Sequence, residues 1–151
     1  LRPRPTPPGV LGELTTIAER RGSPSPPSPG ATPPTVRPLT PADRSRIEDL
    51  AARCSDETLR RRFHAPVAHL SLSRVADLLT SVEAVGVVVA EVDGSIVGVG
   101  TLHRNAEGEG EMAVLVEDGS QAGGVGSRLT SALFDTARDA GVPVIVADVL
   151  R

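Results

Sequence analysis

The run Gln121-Ala122-Gly123-Gly124-Val125-Gly126 constrains this chain more than any other segment. It follows an apolar, strand-like run, Met112 to Val116, and opens a helix-like run, Ser127 to Ala140. A glycine-rich turn at that junction leaves several backbone N–H groups unpaired and pointing one way, and the helix dipole adds partial positive charge there. The product is a site for phosphate. No Gly-Lys-Ser/Thr follows, so the turn is not a P-loop, and the spacing is not the Gly-x-Gly-x-x-Gly of dinucleotide loops. Glycine turns also join strands to helices for purely structural reasons, so the flanking pattern decides.

That pattern divides the chain in two. Residues 1–34 hold most of the prolines, among Ser, Gly and Thr, and cannot bury enough apolar surface to offset ordering entropy. The expectation is a disordered tail or linker, with Leu11, Leu14, Ile17 and Ala18 marking at most a transient helix. An ordered domain is expected over 35–151. Val36 to Leu39 reads as a strand. Thr40-Pro41-Ala42-Asp43 reads as a helix start, with Ile47, Leu50, Ala51 and Cys54 on one face. Ser55 caps a second helix that Pro66 ends, and Ser71 to Val82 reads as a third. The periodicity then changes. Val85 to Val92 and Ser95 to Leu102 flank Asp93-Gly94, a hairpin signal, and Glu109 to Val116 completes a meander. Val125, Leu129, Leu133, Ala137 and Ala140 mark the buried stripe of the last helix. Gly141 ends it, and Val144 to Leu150 is a final strand.

Composition removes several function classes. The net charge of -3 argues against a basic nucleic-acid surface. With no Trp, no Tyr and only Phe63 and Phe134, base-stacking platforms are absent. All basic residues are Arg. The single cysteine, Cys54, rules out an internal disulfide framework and fits a reducing, cytoplasmic setting. No apolar run approaches the ~20 residues of a membrane span, and no signal peptide opens the chain. His64, His69 and His103 lack metal-ligand spacing, so no metal is expected.

The loop spacing Gln-x-x-Gly-x-Gly, together with the element order, resembles the GCN5-related N-acetyltransferases, the GNAT superfamily. The resemblance covers about residues 35–151. It implies an α/β (α+β) fold, a mixed and mainly antiparallel sheet flanked by helices. A narrower resemblance is to the bacterial protein lysine acetyltransferases. It is carried by Ser55-Asp56-Glu57-Thr58-Leu59-Arg60-Arg61-Arg62-Phe63 and by Glu111-Met112-Ala113-Val114-Leu115-Val116. Arg60 stands where that group usually has Tyr, and Gly123 where it usually has Arg or Lys. The family's later Asn, Tyr-bearing helix and last two strands have no counterpart before Arg151. The expectation is therefore a domain truncated after its fifth strand, loosely folded or self-associating on its own, with little or no activity, and with no Tyr to act as general acid.

The resemblance implies acetyl transfer from acetyl-CoA to an amine, a protein lysine before a small molecule. The alternative is a catalytically silent acyl-CoA-binding or regulatory module. It makes Glu111 the general base, although Glu111 also fits a polar position in an alternating strand. It places the donor on Val114, Leu115 and Val116 and on Gln121, Ala122, Gly123, Gly124, Val125, Gly126 and Ser127. A backbone N–H near Val114 or Val116 would face the thioester oxygen. The linker would suit an upstream domain. Arg60-Arg61-Arg62 reads as an exposed helix face before a steering patch. Cys54 reads as a small core residue. Asp148 is either a substrate contact or a strand-end polar residue.

Overall fold

The computed structural model describes residues 32–67, 69–81, 83–121 and 123–147. The expected tail over 1–31, its short helix, Ala122 and Asp148 lie outside the described residues. Five strands form one sheet in sequential order: β1 (Thr35–Pro38), β2 (Gly86–Val92), β3 (Ser95–Arg104), β4 (Gly110–Val116) and β5 (Ile145–Val146). β1 to β4 pair antiparallel and β5 joins β4 in parallel. The Asp93-Gly94 hairpin turn has φ of +48° and +78°, the double positive φ that matches the twist of the flanking strands.

Helices cover both faces. On one lie α1 (Arg44–Arg53), α2 (Asp56–Phe63) and α3 (Leu72–Leu79). Ile47, Leu50, Ala51, Leu59, Val75, Ala76 and Leu79 pack there against Val89, Val99 and Leu115 of the sheet. On the other lies α4 (Val125–Asp139), whose Val125, Leu129, Leu133 and Ala137 pack against Val88, Ala90 and Leu102. Two glycines of β3 set that distance. A Cβ at Gly98 would come within 2.9 Å of Leu129 Cδ1, and one at Gly100 within 2.9 Å of Leu133 Cδ1, so α4 lies close on a bare strand.

Local chemistry explains the helix starts. Thr40 donates its backbone N–H and its hydroxyl to Asp43 Oδ2, both at 2.9 Å, around a 3-10 turn with Pro41 first. Ser55 Oγ accepts from the Thr58 N–H, and Ser71 Oγ from the Arg74 N–H. α4 begins at Val125, two residues before the sequence suggested, because Gly124 turns the chain at φ +76° and serves as N-cap. β3 carries an extra residue at Val97: Ala90 pairs with Gly98, then Glu91 with Ile96. This bulge turns both Val97 and Gly98 toward α4. Among the described residues no helix is long and apolar enough to cross a membrane.

Candidate functional site

The glycine turn sits where β4 ends and α4 begins. The first intrahelical bond of α4 runs from the Arg128 N–H to the Gly124 carbonyl at 3.2 Å. The N–H groups of Val125, Gly126 and Ser127 precede it, and no side chain caps them. A Cβ at Gly124 would meet nothing within 4 Å among the described residues, so the turn is open at that position. The Gly123 N–H folds back to the Ser120 carbonyl at 3.2 Å. Val125 itself anchors the turn in the core, 3 % exposed.

The acidic residues before the turn face away. Glu117 pairs with Arg53 at 2.6 Å. Asp118 accepts from the Ser55 N–H at 3.0 Å, and hydrogen bonding from Ser55 holds its carboxyl below the usual range. Gln121 reaches back to Val116 and across to α2, donating Nε2 to the Val116 carbonyl at 3.1 Å and to Thr58 Oγ1 at 3.2 Å. No residue from Glu117 to Ser127 is basic, and Arg128 Nη1 turns to the Pro34 carbonyl at 3.2 Å. Donors at the turn are therefore backbone donors.

Beside the turn runs a strand edge. β5 pairs with Gly110 and Glu111 only, among the described residues. The Gly110 N–H bonds the Val144 carbonyl at 2.7 Å, so alternation points the N–H and C=O groups of Met112, Val114 and Val116 to the same side, away from β3. Their side chains pack on the α4 face. Leu115 differs: its backbone faces β3 and its side chain is in the opposite core, 2 % exposed. The structure thus brings Val114, Val116, Gln121, Gly123, Gly124, Val125, Gly126 and Ser127 to one end of β4 and takes Leu115 into the interior.

Glu111 is exposed at the other end of β4, at the last register pair with β5 and opposite His103. It shares a sheet face with Thr101, which is 1 % exposed. Arg62 reaches this face from α2. Its Nη2 donates to Thr101 Oγ1 at 2.9 Å, and its guanidinium lies 5.0 Å from the centroid of the Phe63 ring. Its Nε is sealed from solvent with no hydrogen-bond partner among the described residues. Burial pushes the Arg62 pKa down, and the charge of Glu111 pushes it back up. The three arginines of α2 therefore part company. Arg60 and Arg61 are exposed and pair with Glu57, as an exposed helix face requires, while Arg62 turns inward. Sequence reasoning missed Arg62 and Thr101. The available signal was the Thr101 hydroxyl in the middle of a strand whose buried side chains are otherwise Ile96, Val97, Val99 and Leu102. Among the described residues no group of His, Cys, Asp and Glu could hold a metal ion.

A mixed sheet with helices on both faces, an uncapped helix N-terminus beside a strand edge left unpaired among the described residues, and an acid at the far end of the same strand together suit an acyltransferase. The profile of the Acetyltransferase (GNAT) family matches residues 47–151, and the chain belongs to that family. The GNAT domain of S. lividans PAT is 31 % identical at a TM-score of 0.68, with 76 % of this chain and 71 % of that one aligned. A GNAT acetyltransferase from Brucella melitensis, solved in complex with acetyl-CoA, is 23 % identical at a TM-score of 0.55 over 76 % and 74 % of the two chains. A ribosomal-protein-alanine N-acetyltransferase from the same organism is 21 % identical at a TM-score of 0.61, over 76 % and 74 %. These last two share the fold. No curated protein sequence matches the chain.

Proposed function

We propose that this domain transfers an acetyl group from acetyl-CoA to an amine, with a protein lysine as the acceptor. The observation that carries this reading is the uncapped start of α4 beside the edge of β4 that no strand covers beyond Glu111 among the described residues. The N–H groups of Val125, Gly126 and Ser127 would hold the pyrophosphate of the donor. Val114 and Val116 would pair through their backbone with its pantetheine arm, and their N–H groups are the candidates to meet the thioester oxygen. The donor supplies a thioester carbonyl as electrophile. An ammonium has no lone pair, so the acceptor must first lose a proton, and Glu111 would take it directly or through water. The amine nitrogen then bonds to the acyl carbon and loses its second proton. The carbon–sulfur bond breaks, the thiolate takes up a proton, and one proton in all goes to solvent.

The lysine acceptor is supported by the likeness to the PAT domain and by the α2 signature ending in Arg62-Phe63. The same reading places the domain in the cytoplasm, joined through residues 1–34 to an upstream domain. A second reading, a silent acyl-CoA-binding module, is favoured by one observation: no basic side chain in the turn backs up the phosphate donors. Calorimetry with acetyl-CoA and a CoA-release assay with lysine peptides and small amines separate the two. The enzyme reading expects binding, transfer to lysine, and a rate about 100-fold lower in Glu111→Gln. Binding without transfer to any amine establishes the silent module, and absence of binding defeats both.

A further inference from the structure

We infer that Arg62 is a positioning residue of the transfer site, a fixed cation held beside Glu111 that favours the neutral, nucleophilic form of the acceptor amine. This rests on the reading of Glu111 as the base. The geometry starts from α2. Its last turn places Arg62 against the sheet, and the Thr101 hydroxyl holds Nη2 at 2.9 Å. Thr101 pairs with Ala113, two residues along β4 from Glu111 and on the same face. Diagonal neighbours of that kind stand about 7–8 Å apart, so Thr101, which holds the guanidinium, is a near neighbour of Glu111 on one sheet face, and the Glu111 charge acts on Arg62 without an ion pair between them. A guanidinium sealed on its Nε side and, among the described residues, lacking a carboxylate contact is a costly thing to bury. An apolar side chain would fill the same space beside Phe63. A cation fixed here, with no ion-pair partner among the described residues, acts on whatever charge approaches Glu111.

An acceptor approaching Glu111 as an ammonium is repelled by Arg62, and one approaching as a free amine is not. The cation therefore lowers the pH at which the acceptor becomes nucleophilic. Among the described residues few other charges face this point. From α2 the neighbours Glu57, Arg60 and Arg61 are exposed and mutually paired, and His64 is exposed at the helix end. β3 contributes His103, half-buried and opposite Glu111, and β4 contributes Glu111 itself. Asp148 lies outside the described residues.

The test compares the pH dependence of kcat/KM for a lysine peptide in wild type, Arg62→Met, Arg62→Lys and Glu111→Gln, using the full chain. A His103→Gln background removes the titration of that imidazole. Arg62→Met should lose activity about tenfold near neutral pH and regain it at alkaline pH, a shift of one unit in the acceptor limb being a factor of ten. The KM for acetyl-CoA should stay within about twofold, and Arg62→Lys, which keeps the charge, should keep the wild-type limb. A second measurement needs no turnover. The Arg62 Nε–H should give a slowly exchanging side-chain signal by ¹⁵N NMR that Glu111→Gln and Thr101→Val both move. If Glu111→Gln is inactive while Arg62→Met keeps the wild-type limb, this proposal alone falls. If Glu111→Gln keeps full activity, the base reading falls and this one with it. A loss in Arg62→Met that is equal at all pH values and unrescued by lysine means a structural bolt and overturns the proposal. So does an Nε–H that exchanges as fast as those of Arg60 and Arg61 and ignores Glu111→Gln.

Discussion

Gln121 Nε2 lies 3.2 Å from Thr58 Oγ1, a hydrogen bond between residues 63 positions apart in the chain. It fastens the first residue of the glycine turn to α2, while its second bond, to the Val116 carbonyl, fastens the same residue to the end of β4. The turn is thus held from two sides, and the N–H groups of Val125, Gly126 and Ser127 that follow it are left unencumbered. Gln121→Ala should loosen this anchorage. The bonds are exposed, so the cost in stability should stay near 1 kcal/mol or below. Acetyl-CoA affinity should drop several-fold because the loop must then be ordered on binding. A thermal melt beside a calorimetric titration checks both; an unchanged affinity would leave the anchorage without a role in binding.

Asp43 is the most heavily engaged carboxylate of the described chain. It is 3 % exposed and accepts from Arg37 twice at 2.8 Å, from Arg46 at 3.1 Å, and from Thr40. These bonds, Arg37 first, hold its pKa far below the ordinary carboxylate range. A depressed folded-state pKa contributes stability that is fully present above the unfolded value, near 4, and is lost as pH falls through the folded one. Wild-type stability from this source should therefore be flat from neutral pH to about pH 5 and decline below about pH 4. Asp43→Asn should cost about 3–5 kcal/mol at neutral pH and flatten that acid decline. Denaturant melts across pH give the answer.

Cys54 ends α1, half-buried, and burial followed by the charges of Asp118 and Glu117 pushes its thiol pKa up to about 11. Reaction with thiol reagents at mildly alkaline pH should run roughly a hundredfold slower than for an ordinary cysteine, because the thiolate is the reactive form. Aromatic-disulfide kinetics on the folded chain would measure it. A rate equal to that of free cysteine would contradict the burial.

His64 closes α2 at φ +55°, the left-handed region that favours glycine. His64→Gly should stabilise the domain by about 1 kcal/mol without touching the site. A lower melting temperature would mean that the imidazole makes a contact worth more than the strain.

Much of this architecture was legible in the residues. The change from helical spacing in Ile47, Leu50 and Ala51 to the β-branched run 87–89 marked where helices give way to sheet, and Asp93-Gly94 marked the hairpin. Ser55 and Ser71 announced their helices because a cap is a local event, readable from neighbours. The start of α4 was read late because helical φ begins at once after a left-handed Gly124, and Gly126 looks like turn in any local reading. Non-local pairings were out of reach. Arg62 was indistinguishable from Arg60 and Arg61 until α2 was laid on the sheet, since its partner Thr101 is 39 residues away. Leu115 was read as an edge residue along with Val114 and Val116, and only the register of β3 on β4 shows that it faces inward.

The central claim is that the bare start of α4 holds the phosphates of acetyl-CoA, and Gly126 isolates it. A Cβ there would touch Val116 Cγ2 at 3.9 Å, an ordinary contact, so Gly126→Ala should fold as well as wild type or up to about 1 kcal/mol better, since glycine weakens a helix. Gly126→Val carries the same bulk further into the space a phosphate needs. Calorimetric titration of acetyl-CoA into wild type, Gly126→Ala and Gly126→Val should show binding, weakened binding and none, in that order, on an intact fold. Equal affinity in all three would contradict the account.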